Sequence, residues 1–447
     1  MNADQGKTTD TPRVLEIPAA SLVLLIGVSG AGKSTFAARH FRPTQVVSSD
    51  HYRAVVSDDE NDQSATDDAF TILHAVVDRR LQRGLLTVVD ATNLHTHARV
   101  ALRRIARRHN LPSVAIALVP PVDVIRQRAR ERSDRALSAK AIDRQLTDLQ
   151  HALDRLGQEG FRAVYVLRDP ATVDTVTVRL VPFPGYRSEL RGPFDIIGDV
   201  HGCRLELEAL LHQLGYQLVR DEHGRAVGAH HVERTAVFVG DLVDRGPDSP
   251  GVLRLVMGMV ADGDALCVAG NHEDRLRRAL QGRRVQVSHG LRETLQQLAA
   301  EPEAFQARVR AFCADLVSHY ILDGGKLVVA HAGLPEKYHG RDSKRVRAFA
   351  LYGETTGEVD EYGLPVRLPW ARNYRGQATV VYGHVPAADV EWRNNTLCVD
   401  TGCVFGGRLT ALRYPEREIV SVPAERVWFP PTRPLSTPRW TVADGRA

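Results

Sequence analysis

Short apolar runs in the first part of the chain alternate with longer stretches of helical composition. Leu22–Ile26 is an uninterrupted apolar run, which is typical of a buried strand, and Gly27 ends it. Further apolar runs cover residues 85–89 and 114–119, and stretches such as 68–83 and 97–108 favour helices. Strands that alternate with helices predict βαβ units, so we expect an α/β domain with a parallel, doubly wound sheet.

Six apolar runs in the second part each end in a polar cluster of metal-binding type. The runs are 196–197 before Asp199, 236–239 before Asp241, 266–269 before Asn271, 327–330 before His331, 379–382 before His384 and 397–399 before Asp400. Ligands gather where the ends of strands converge in α/β sheets. We therefore predict a second α/β domain in which these strand ends share one site.

These patterns divide the chain into five segments. We expect a disordered tail at 1–18, a first domain at 19–170, a junction rich in Pro, Arg and Gly at 171–194, a second domain at 195–425, and a Pro-rich tail at 426–447. A length of 447 residues is compatible with two or three domains.

Composition narrows the class of protein only a little. A net charge of +4 over the whole chain does not by itself indicate an anionic partner. The five cysteines are scattered and form no CxxC pair, which argues against a disulfide framework and a zinc ribbon. The N-terminus has neither a signal-peptide pattern nor an apolar stretch long enough to span a bilayer. We expect a cytoplasmic protein without a membrane partner.

A glycine-rich segment after the first apolar run matches the phosphate-binding loop G-x-x-x-x-G-K-[ST] without a gap. We assign to ATP binding Gly27, Val28, Ser29, Gly30, Ala31, Gly32, Lys33, Ser34 and Thr35. Glycines let backbone N–H groups turn around phosphate oxygens, and the N-terminus of the following helix adds a favourable dipole. Lys33 is expected to reach the β- and γ-phosphates, and Ser34 to bind Mg²⁺.

Three polar residues beyond this loop bear on what accepts the phosphoryl group. Asp50 follows the apolar residues 46–47, where a carboxylate can act as general base toward a hydroxyl, and Arg53 can hold a phosphate of the acceptor. The alternative is a helix-capping aspartate with a solvated arginine. Asp90 ends the run 85–89, and a Walker-B-type carboxylate and a turn residue are equally good interpretations of it.

An arginine-rich segment at 125–135 places Arg128 and Arg132 four residues apart, and hence on one face of a helix. Two guanidinium groups on one face suit a lid that closes on the transferring phosphoryl group. A solvated helix face explains the same run of charges.

The second part contains the side chains for a site with two divalent cations. The set of carboxylates, amide and imidazoles comprises Asp199, His201, Asp241, Asn271, His331 and His384. Such sets hold cations about 3.5–4 Å apart, which orient a phosphate and supply a hydroxide. We assign Asp199 and His201 to the first cation, Asp241 as the bridge, and the remaining ligands to the second cation.

The residues next to these ligands have predicted roles in the reaction. His272 remains available as general acid toward the leaving oxygen. Arg245 is predicted to bind phosphate oxygens, and Asp400 to pair with His272 or with a ligand histidine. His74 and His95 match no motif and are interpreted as structural or surface residues.

Both parts of the chain resemble known families. The motifs GDVHG at 198–202, GDLVDRG at 240–246 and GNHE at 270–273, with the later histidines, resemble the calcineurin-type metallophosphoesterases. A P-loop kinase with SSD at 48–50 and Arg53, followed by this type of esterase, resembles the bacterial polynucleotide kinase-phosphatase of RNA end repair. This resemblance covers nearly all of residues 20–425 and includes the segment 351–358.

The resemblance implies an enzyme with two activities and an α/β calcineurin-like sandwich as its second domain. The kinase would transfer the γ-phosphate of ATP to a 5′-OH end, with Asp50 as base, Arg53 on the acceptor, and Arg128 and Arg132 in the lid. The esterase would remove 3′-phosphate and 2′,3′-cyclic phosphate ends with Mn²⁺ or Ni²⁺. The implied partners are RNA ends, with DNA ends left open, and members of that family are often homodimers.

The chain departs from that family at two points. It ends at Ala447 without the ligase domain that the family usually carries, so we expect either a separate ligase partner or a shortened chain. Val385 stands where the family commonly has threonine, which is a conservative change for metal binding.

Other functions stay open at this stage. A small-molecule kinase fused to a nucleotide, dinucleoside-polyphosphate or protein phosphatase keeps both folds and changes the substrates. A regulatory ATPase that senses ATP would leave Asp50, Arg53 and the lid arginines without a task. A nucleic-acid path and a solvated surface both explain Arg345, Arg347, Arg367, Arg372 and Arg375.

Overall fold

The computed structural model describes residues 8–10, 14–131 and 138–435, which form two compact units. The first unit extends to Phe183 and includes Arg341–Ser343. The second unit runs from Pro184 to Gly340 and continues from Lys344. Within the described ranges, no helix is both long enough and apolar enough to cross a membrane.

The first unit is built on a parallel sheet with helices around it. In its described residues the sheet has six strands in the order Thr8–Asp10, Ala163–Leu167, Ser113–Leu118, Leu22–Ile26, Thr87–Asp90 and Val46–Ser48. The helices are Lys33–His40, Ser49–Ser57, Thr66–Gln82, Thr96–Arg108, Val122–Glu131, Ala139–Leu156 and Pro170–Thr175. The central strands are buried along their whole length, which explains their uninterrupted apolar sequence. The predicted parallel α/β sheet is confirmed.

A strand pair outside this sheet lies in segments that were predicted as the disordered tail, 1–18, and the junction, 171–194. Val14–Pro18 is a strand that pairs in parallel with Thr177–Val181, so the expected disorder through residue 18 is wrong for this strand. Leu15 and Ile17 are fully buried, whereas Val14 and Glu16 are exposed. This alternation of apolar and exposed positions is the pattern of a half-buried strand.

The second unit is built on two sheets that pack face to face. Among its described residues, one sheet has the order Ala265–Cys267, Thr235–Phe238, Phe194–Ile197, Arg408–Tyr414 and Asp400–Thr401, with Glu418–Pro423 beside Arg408–Tyr414. The other has the order His319–Leu322, Leu327–Ala330, Thr379–Tyr382, Thr396–Cys398 and Trp392–Arg393. Ile196 and Val329 pack between the sheets, whereas Ile197 and Val328 pack on the outer faces. The predicted α/β sandwich is confirmed.

Helices cover the outside of this sandwich, and short hairpins extend from it. The helices are Arg204–Leu214, Ser249–Asp262, Asn271–Leu280, Leu291–Ala299, Glu303–Asp315 and Lys344–Tyr352. The hairpins join Gln217–Arg220 to Ala226–His230, and Thr355–Val359 to Pro365–Arg367.

The start of the predicted C-terminal tail is attached to the second unit. The backbone N–H of Trp428 donates to the Val404 carbonyl oxygen at 3.1 Å, and its indole N–H donates to Glu206 at 2.7 Å. The tail expected from residue 426 is therefore packed where it begins, because a buried carboxylate and an apolar surface are available to this tryptophan.

Candidate functional sites

The P-loop opens into a cleft of about 980 Å³ that the strand ends of the first unit line. The loop follows the strand Leu22–Ile26, and its Lys33 begins the next helix. The Lys33 ammonium donates to the Val28 carbonyl oxygen at 3.0 Å. The Ser29 backbone N–H donates to Gln145 Oε1 at 2.8 Å, a contact that nothing in the sequence predicted. The P-loop is thus fixed by one hydrogen bond within the loop and by another to Gln145, which lies on a helix far away in the sequence.

Ser34 and Asp90 are adjacent in this cleft. The Ser34 side chain hydrogen-bonds to the carboxyl group of Asp90, which is the last residue of its strand. Burial raises the pKa of Asp90, while that hydrogen bond and the charge of Lys33 oppose the rise. A carboxylate next to the P-loop serine is the Walker-B arrangement for Mg²⁺. Of the two interpretations of Asp90, the structure favours this one.

Asp50 and Arg53 line the same cleft from the helix Ser49–Ser57. Arg53 is buried, and its Nη2 donates to Asp50 Oδ1 at 2.5 Å. The helix is capped by Ser48, whose hydroxyl accepts from the His51 backbone N–H. The alternative of a capping Asp50 with a solvated Arg53 is therefore wrong, because a neighbouring serine fills the first role and burial excludes the second.

An arginine and several histidines complete the walls of the cleft. Nη1 of Arg128 lies 3.3 Å from the position that a Cβ on Gly32 would occupy, so this guanidinium group lies over the P-loop. Arg132 lies outside the described residues. His74, His95 and His97 also line the cleft, and the rings of the last two stack with centroids 5.5 Å apart. The interpretation of His74 and His95 as merely structural or surface residues missed this placement, because no motif marks them.

The predicted metal ligands of the second unit converge in one cluster at strand ends. Asp199 and Asp241 follow adjacent parallel strands of one sheet. His331 and His384 follow adjacent parallel strands of the other sheet. Asn271 begins the helix that follows a third strand of the first sheet. The cluster therefore draws on both halves of the sandwich.

His331 lies at the centre of the second ligand set. Its Nε2 is 3.0 Å from Asn271 Oδ1, 2.9 Å from His384 Nδ1 and 3.3 Å from Asp241 Oδ2. Its Nδ1 is 3.0 Å from the Val239 carbonyl oxygen, which fixes the proton on Nδ1. Nε2 then presents a lone pair toward atoms that also carry lone pairs, an arrangement that a cation satisfies.

The residues assigned to the first cation also present groups that a cation would satisfy. His201 Nδ1 contacts a backbone carbonyl oxygen at 2.9 Å, and its Nε2 is 3.7 Å from Asp241 Oδ2. Asp199 Oδ2 accepts the His384 backbone N–H at 3.0 Å, whereas its buried Oδ1 has no hydrogen-bond partner among the described residues. A Cβ on Gly383 would fall 1.9 Å from that Oδ1, so the approach requires glycine. The unpartnered oxygen and the ligand chemistry fit two divalent cations.

Burial and neighbouring charges shift the pKa values of these ligands in different directions. Burial raises the pKa of Asp199 well above its usual range, and the nearby Asp400 and Asp241 add to the rise. Burial acts on Asp241 in the same direction, but the surrounding imidazoles, His331 first, hold its pKa well below the usual range. Burial lowers the pKa of His201, which keeps its imidazole in the neutral form that binds metals.

His272 pairs with Asp244, and not with Asp400. Its Nδ1 is 2.6 Å from Asp244 Oδ2, and both side chains are buried. Asp400 instead accepts the Gly402 backbone N–H at 3.0 Å and lies beside Asp199. The predicted pairing of Asp400 with His272 is wrong, because Asp244 occupies that position, and the alternative pairing of Asp400 with a ligand histidine stays a prediction. Asp244 belongs to the GDLVDRG motif, but the motif does not show which histidine this aspartate contacts.

Arg245 and Glu273 support the cluster from either side. Nη1 of Arg245 is 2.7 Å from His201 Nε2, so its guanidinium group reaches the ligands. Glu273 is fully buried and accepts backbone N–H groups from Asp241 and Leu242, each at 2.8 Å. This carboxylate fixes the backbone of the bridging residue, a role that its place in the GNHE motif did not reveal.

Comparisons with known proteins agree with this geometry. The AAA domain model matches residues 22–156, and the calcineurin-like phosphoesterase model matches residues 192–414. The asymmetrical bis(5′-nucleosyl)-tetraphosphatase PrpE of Anoxybacillus flavithermus is 48% identical over 235 residues, which cover 52% of this chain and 94% of that protein. The chain belongs to the calcineurin-like phosphoesterases. A kinase-like P-loop domain of the AAA type precedes its phosphoesterase domain.

Further relatives match the phosphoesterase domain. The protein of the same name from a Geobacillus species is 44% identical over 240 residues, which cover 53% of this chain and 96% of that protein. A solved Saccharomyces cerevisiae protein serine/threonine phosphatase has a TM-score of 0.37 and 16% identity, covering 52% of this chain and 80% of its own. The family model and the curated relatives confirm the expected calcineurin-type domain, and the finer likeness to polynucleotide kinase-phosphatases stays a prediction.

Proposed function

We propose that this phosphoesterase heals nucleic-acid ends with two activities. Its P-loop domain transfers the γ-phosphoryl group of ATP to a 5′-OH end and releases ADP. Its phosphoesterase domain opens 2′,3′-cyclic phosphates and removes 3′-phosphates. The observation that carries the proposal is the placement of Asp50 in the P-loop cleft, paired with the buried Arg53. A regulatory ATPase needs no such carboxylate, whereas phosphoryl transfer to a hydroxyl needs a base.

The charged groups that the motifs single out in the P-loop cleft each have a role in this reaction. Asp50 accepts the proton of the attacking hydroxyl, and Arg53, which pairs with that carboxylate, contacts a phosphate of the acceptor. Lys33 binds the β- and γ-phosphates, and Arg128 supports the transferring group from its position over Gly32. Arg132 belongs to the same proposed lid. The stacked rings of His95 and His97 offer a flat surface to a base of the acceptor.

The second domain supplies the hydrolytic half of the proposal. Asp199, His201 and Asp241 would hold one cation, and Asn271, His331 and His384 with Asp241 the other, Mn²⁺ or Ni²⁺ being the candidates. Such cations supply a hydroxide and neutralise the charge of the phosphate. His272 donates a proton to the leaving oxygen, oriented by Asp244, while Arg245 binds phosphate oxygens.

A second candidate activity rests on the named relatives. Proteins called asymmetrical bis(5′-nucleosyl)-tetraphosphatases match this domain over almost their whole length. Hydrolysis of dinucleoside tetraphosphates by the same metal-type cluster is therefore the alternative for the second domain. This alternative gives no role to Asp50 and Arg53 in the P-loop cleft, and for that reason it ranks second.

The partners in this proposal follow from the reaction. RNA ends are the substrates, with DNA ends as a comparison, and a separate ligase joins the healed ends in a cytoplasmic setting. A homodimer is part of the proposal only by family resemblance.

One substrate tests both halves at once. A short RNA with a 5′-OH and a 2′,3′-cyclic phosphate is incubated with ATP, Mg²⁺ and Mn²⁺, and wild type is compared with Lys33→Ala and Asp199→Ala. We expect Lys33→Ala to lose 5′-phosphorylation alone, and Asp199→Ala to lose 3′-end processing alone. A parallel reaction contains diadenosine tetraphosphate in place of RNA.

The outcomes separate the two candidates. If both RNA ends change as described and the tetraphosphate is hydrolysed far more slowly, end healing stands. If the RNA is untouched and the tetraphosphate is cleaved in an Asp199-dependent reaction, end healing is wrong and the second candidate replaces it.

A further inference from the structure

A second cavity, of about 170 Å³, lies beside the metal-type cluster of the phosphoesterase domain. His384 belongs to both, since it lines the cavity and its Nδ1 is 2.9 Å from His331 Nε2. A volume of this size holds several water molecules, because each occupies roughly 30 Å³ of liquid. The cavity is therefore large enough for part of a substrate whose phosphate sits on the cluster.

Aromatic side chains form one wall of this cavity. The rings of Trp370 and Tyr382 meet edge to face with centroids 5.2 Å apart, and Tyr374 packs on the same indole at 6.0 Å. Trp370 also packs on Gly333, which has φ +81°, and a Cβ there would fall 2.0 Å from the indole. Gly333 stands two residues after His331, so the indole is fixed relative to the ligand cluster.

An arginine of the cavity lining interacts electrostatically with the cluster. Arg367 Nη1 donates to the Tyr352 carbonyl oxygen at 2.6 Å, which anchors the side chain. Its guanidinium group lines the cavity, and its positive charge acts on both His384 and Asp241. The cavity lining thus combines aromatic side chains with a cation whose charge acts on the predicted metal ligands.

We infer that this cavity binds the nucleobase of the nucleotide whose phosphate is cleaved. A base presents a flat aromatic face that stacks on aromatic side chains without regard to sequence. The sugar would then lie near Arg367 and the phosphate on the ligand cluster. This inference rests on the proposed action on nucleotides, and it assigns to Trp370 a role in substrate binding that the ligand motifs do not include.

The test compares a substrate with a base and one without. Hydrolysis of adenosine 3′-monophosphate and of glycerol 2-phosphate is measured with Mn²⁺, and the ratio of their kcat/KM values is the readout. We expect a ratio of about ten or more in the wild type, since stacking strengthens binding by that order. Trp370→Ala should lower the ratio about tenfold, mainly through KM.

One further variant tests the cavity without changing Trp370, and another serves as a control. Ala387→Phe leaves Trp370 in place and fills the cavity from another wall, so it should lower the ratio as well. Trp392→Ala removes a tryptophan outside the cavity and should keep the wild-type ratio. A wild-type ratio near one, or a ratio that both cavity variants leave unchanged, overturns the inference.

Failure of the inference is distinguishable from failure of end healing. If RNA ends are not processed but the ratio falls in both cavity variants, the base site stands and the RNA assignment alone fails. If RNA ends are processed and the ratio does not respond to either cavity variant, the base site alone fails.

Discussion

Glu273 is the residue that determines the geometry of the bridging Asp241. Its carboxylate accepts three backbone N–H groups, from Asp241, Leu242 and Gly270, and it is fully buried. Burial raises its pKa to about 7, with the neighbouring Asp241 adding to the rise. Three hydrogen bonds to one buried carboxylate fix the backbone on either side of the cluster residues Asp241 and Asn271.

Replacing this carboxylate should weaken metal binding without removing a ligand. In Glu273→Gln an amide N–H₂ faces a backbone donor, so the loop of Asp241 shifts. Changes to groups that orient ligands lower metal affinity by about 10–100-fold. A Mn²⁺ titration of phosphoesterase activity measures the effect, with Glu361→Gln on the exposed surface as control. Equal midpoints for the two variants would contradict this role.

The pairing of His272 with Asp244 predicts a dependence on the leaving group. Loss of a general acid costs about 10²–10⁴-fold when the leaving oxygen needs a proton. His272→Ala should therefore impair hydrolysis of an alkyl phosphate far more than that of p-nitrophenyl phosphate, whose leaving group departs without one. Asp244→Asn should show the same trend at smaller magnitude. An equal loss on both substrates would mean that His272 serves only as a ligand or as packing.

Whether the sequence could predict the role of a site residue depends on how far along the chain its contact partner lies. The ligands were predictable because they stand at or just after the ends of buried apolar runs, and a glycine directly precedes Asp199, Asp241, Asn271 and His384. Asp244 was not, since its partner stands 28 residues away and either aspartate of the motif could have been chosen. Gln145 was not, because its contact with Ser29 spans 116 residues.

At the scale of elements, the strand Val14–Pro18 is an unexpected support of the first unit. Its partner Thr177–Val181 lies at the other end of that unit in the sequence. The strand was missed because five residues with polar neighbours carry too weak a pattern, whereas Leu22–Ile26 is unbroken and was predicted with its bounds.

The strand pair predicts a contrast between neighbouring positions. Ile17→Ala removes a fully buried side chain and should destabilise the first unit by about 2–5 kcal/mol. Val14→Ala, at a position that is 42% exposed, should change stability by about 0.5 kcal/mol or less. Denaturant unfolding followed with a probe of the first unit measures both. Similar values for the two variants would show that the strand contributes no packing.

At the scale of the whole molecule, each of the two units has a cavity of its own. Among the residues that the structure describes, each cavity is lined by one unit alone: residues between 29 and 174 line the P-loop cleft, and residues between 332 and 433 line the second cavity. A ligand that binds the native state raises stability by RT ln(1 + [L]/Kd), about 2.7 kcal/mol at one hundred times Kd.

Thermal unfolding should therefore respond to each ligand independently. Mn²⁺ should raise the melting temperature of the second unit, and this shift should disappear in Asp199→Ala and persist in Lys33→Ala. ATP with Mg²⁺ should give the reverse dependence. Calorimetry of the three proteins makes the measurement. A Mn²⁺ shift that survives in Asp199→Ala would place the stabilising cation elsewhere.

The hydrogen bond from His384 to Asp199 connects residues that are far apart in the sequence, which has a consequence for folding during translation. It joins residues 185 positions apart, and ligands from both sheets are needed to complete the cluster. The first unit, by contrast, has its paired strands once residue 181 has been made. Domains fold as units during translation, the N-terminal one first. On the proposed function, we therefore expect a ribosome-bound chain to bind ATP about two hundred residues of synthesis before it can bind both cations.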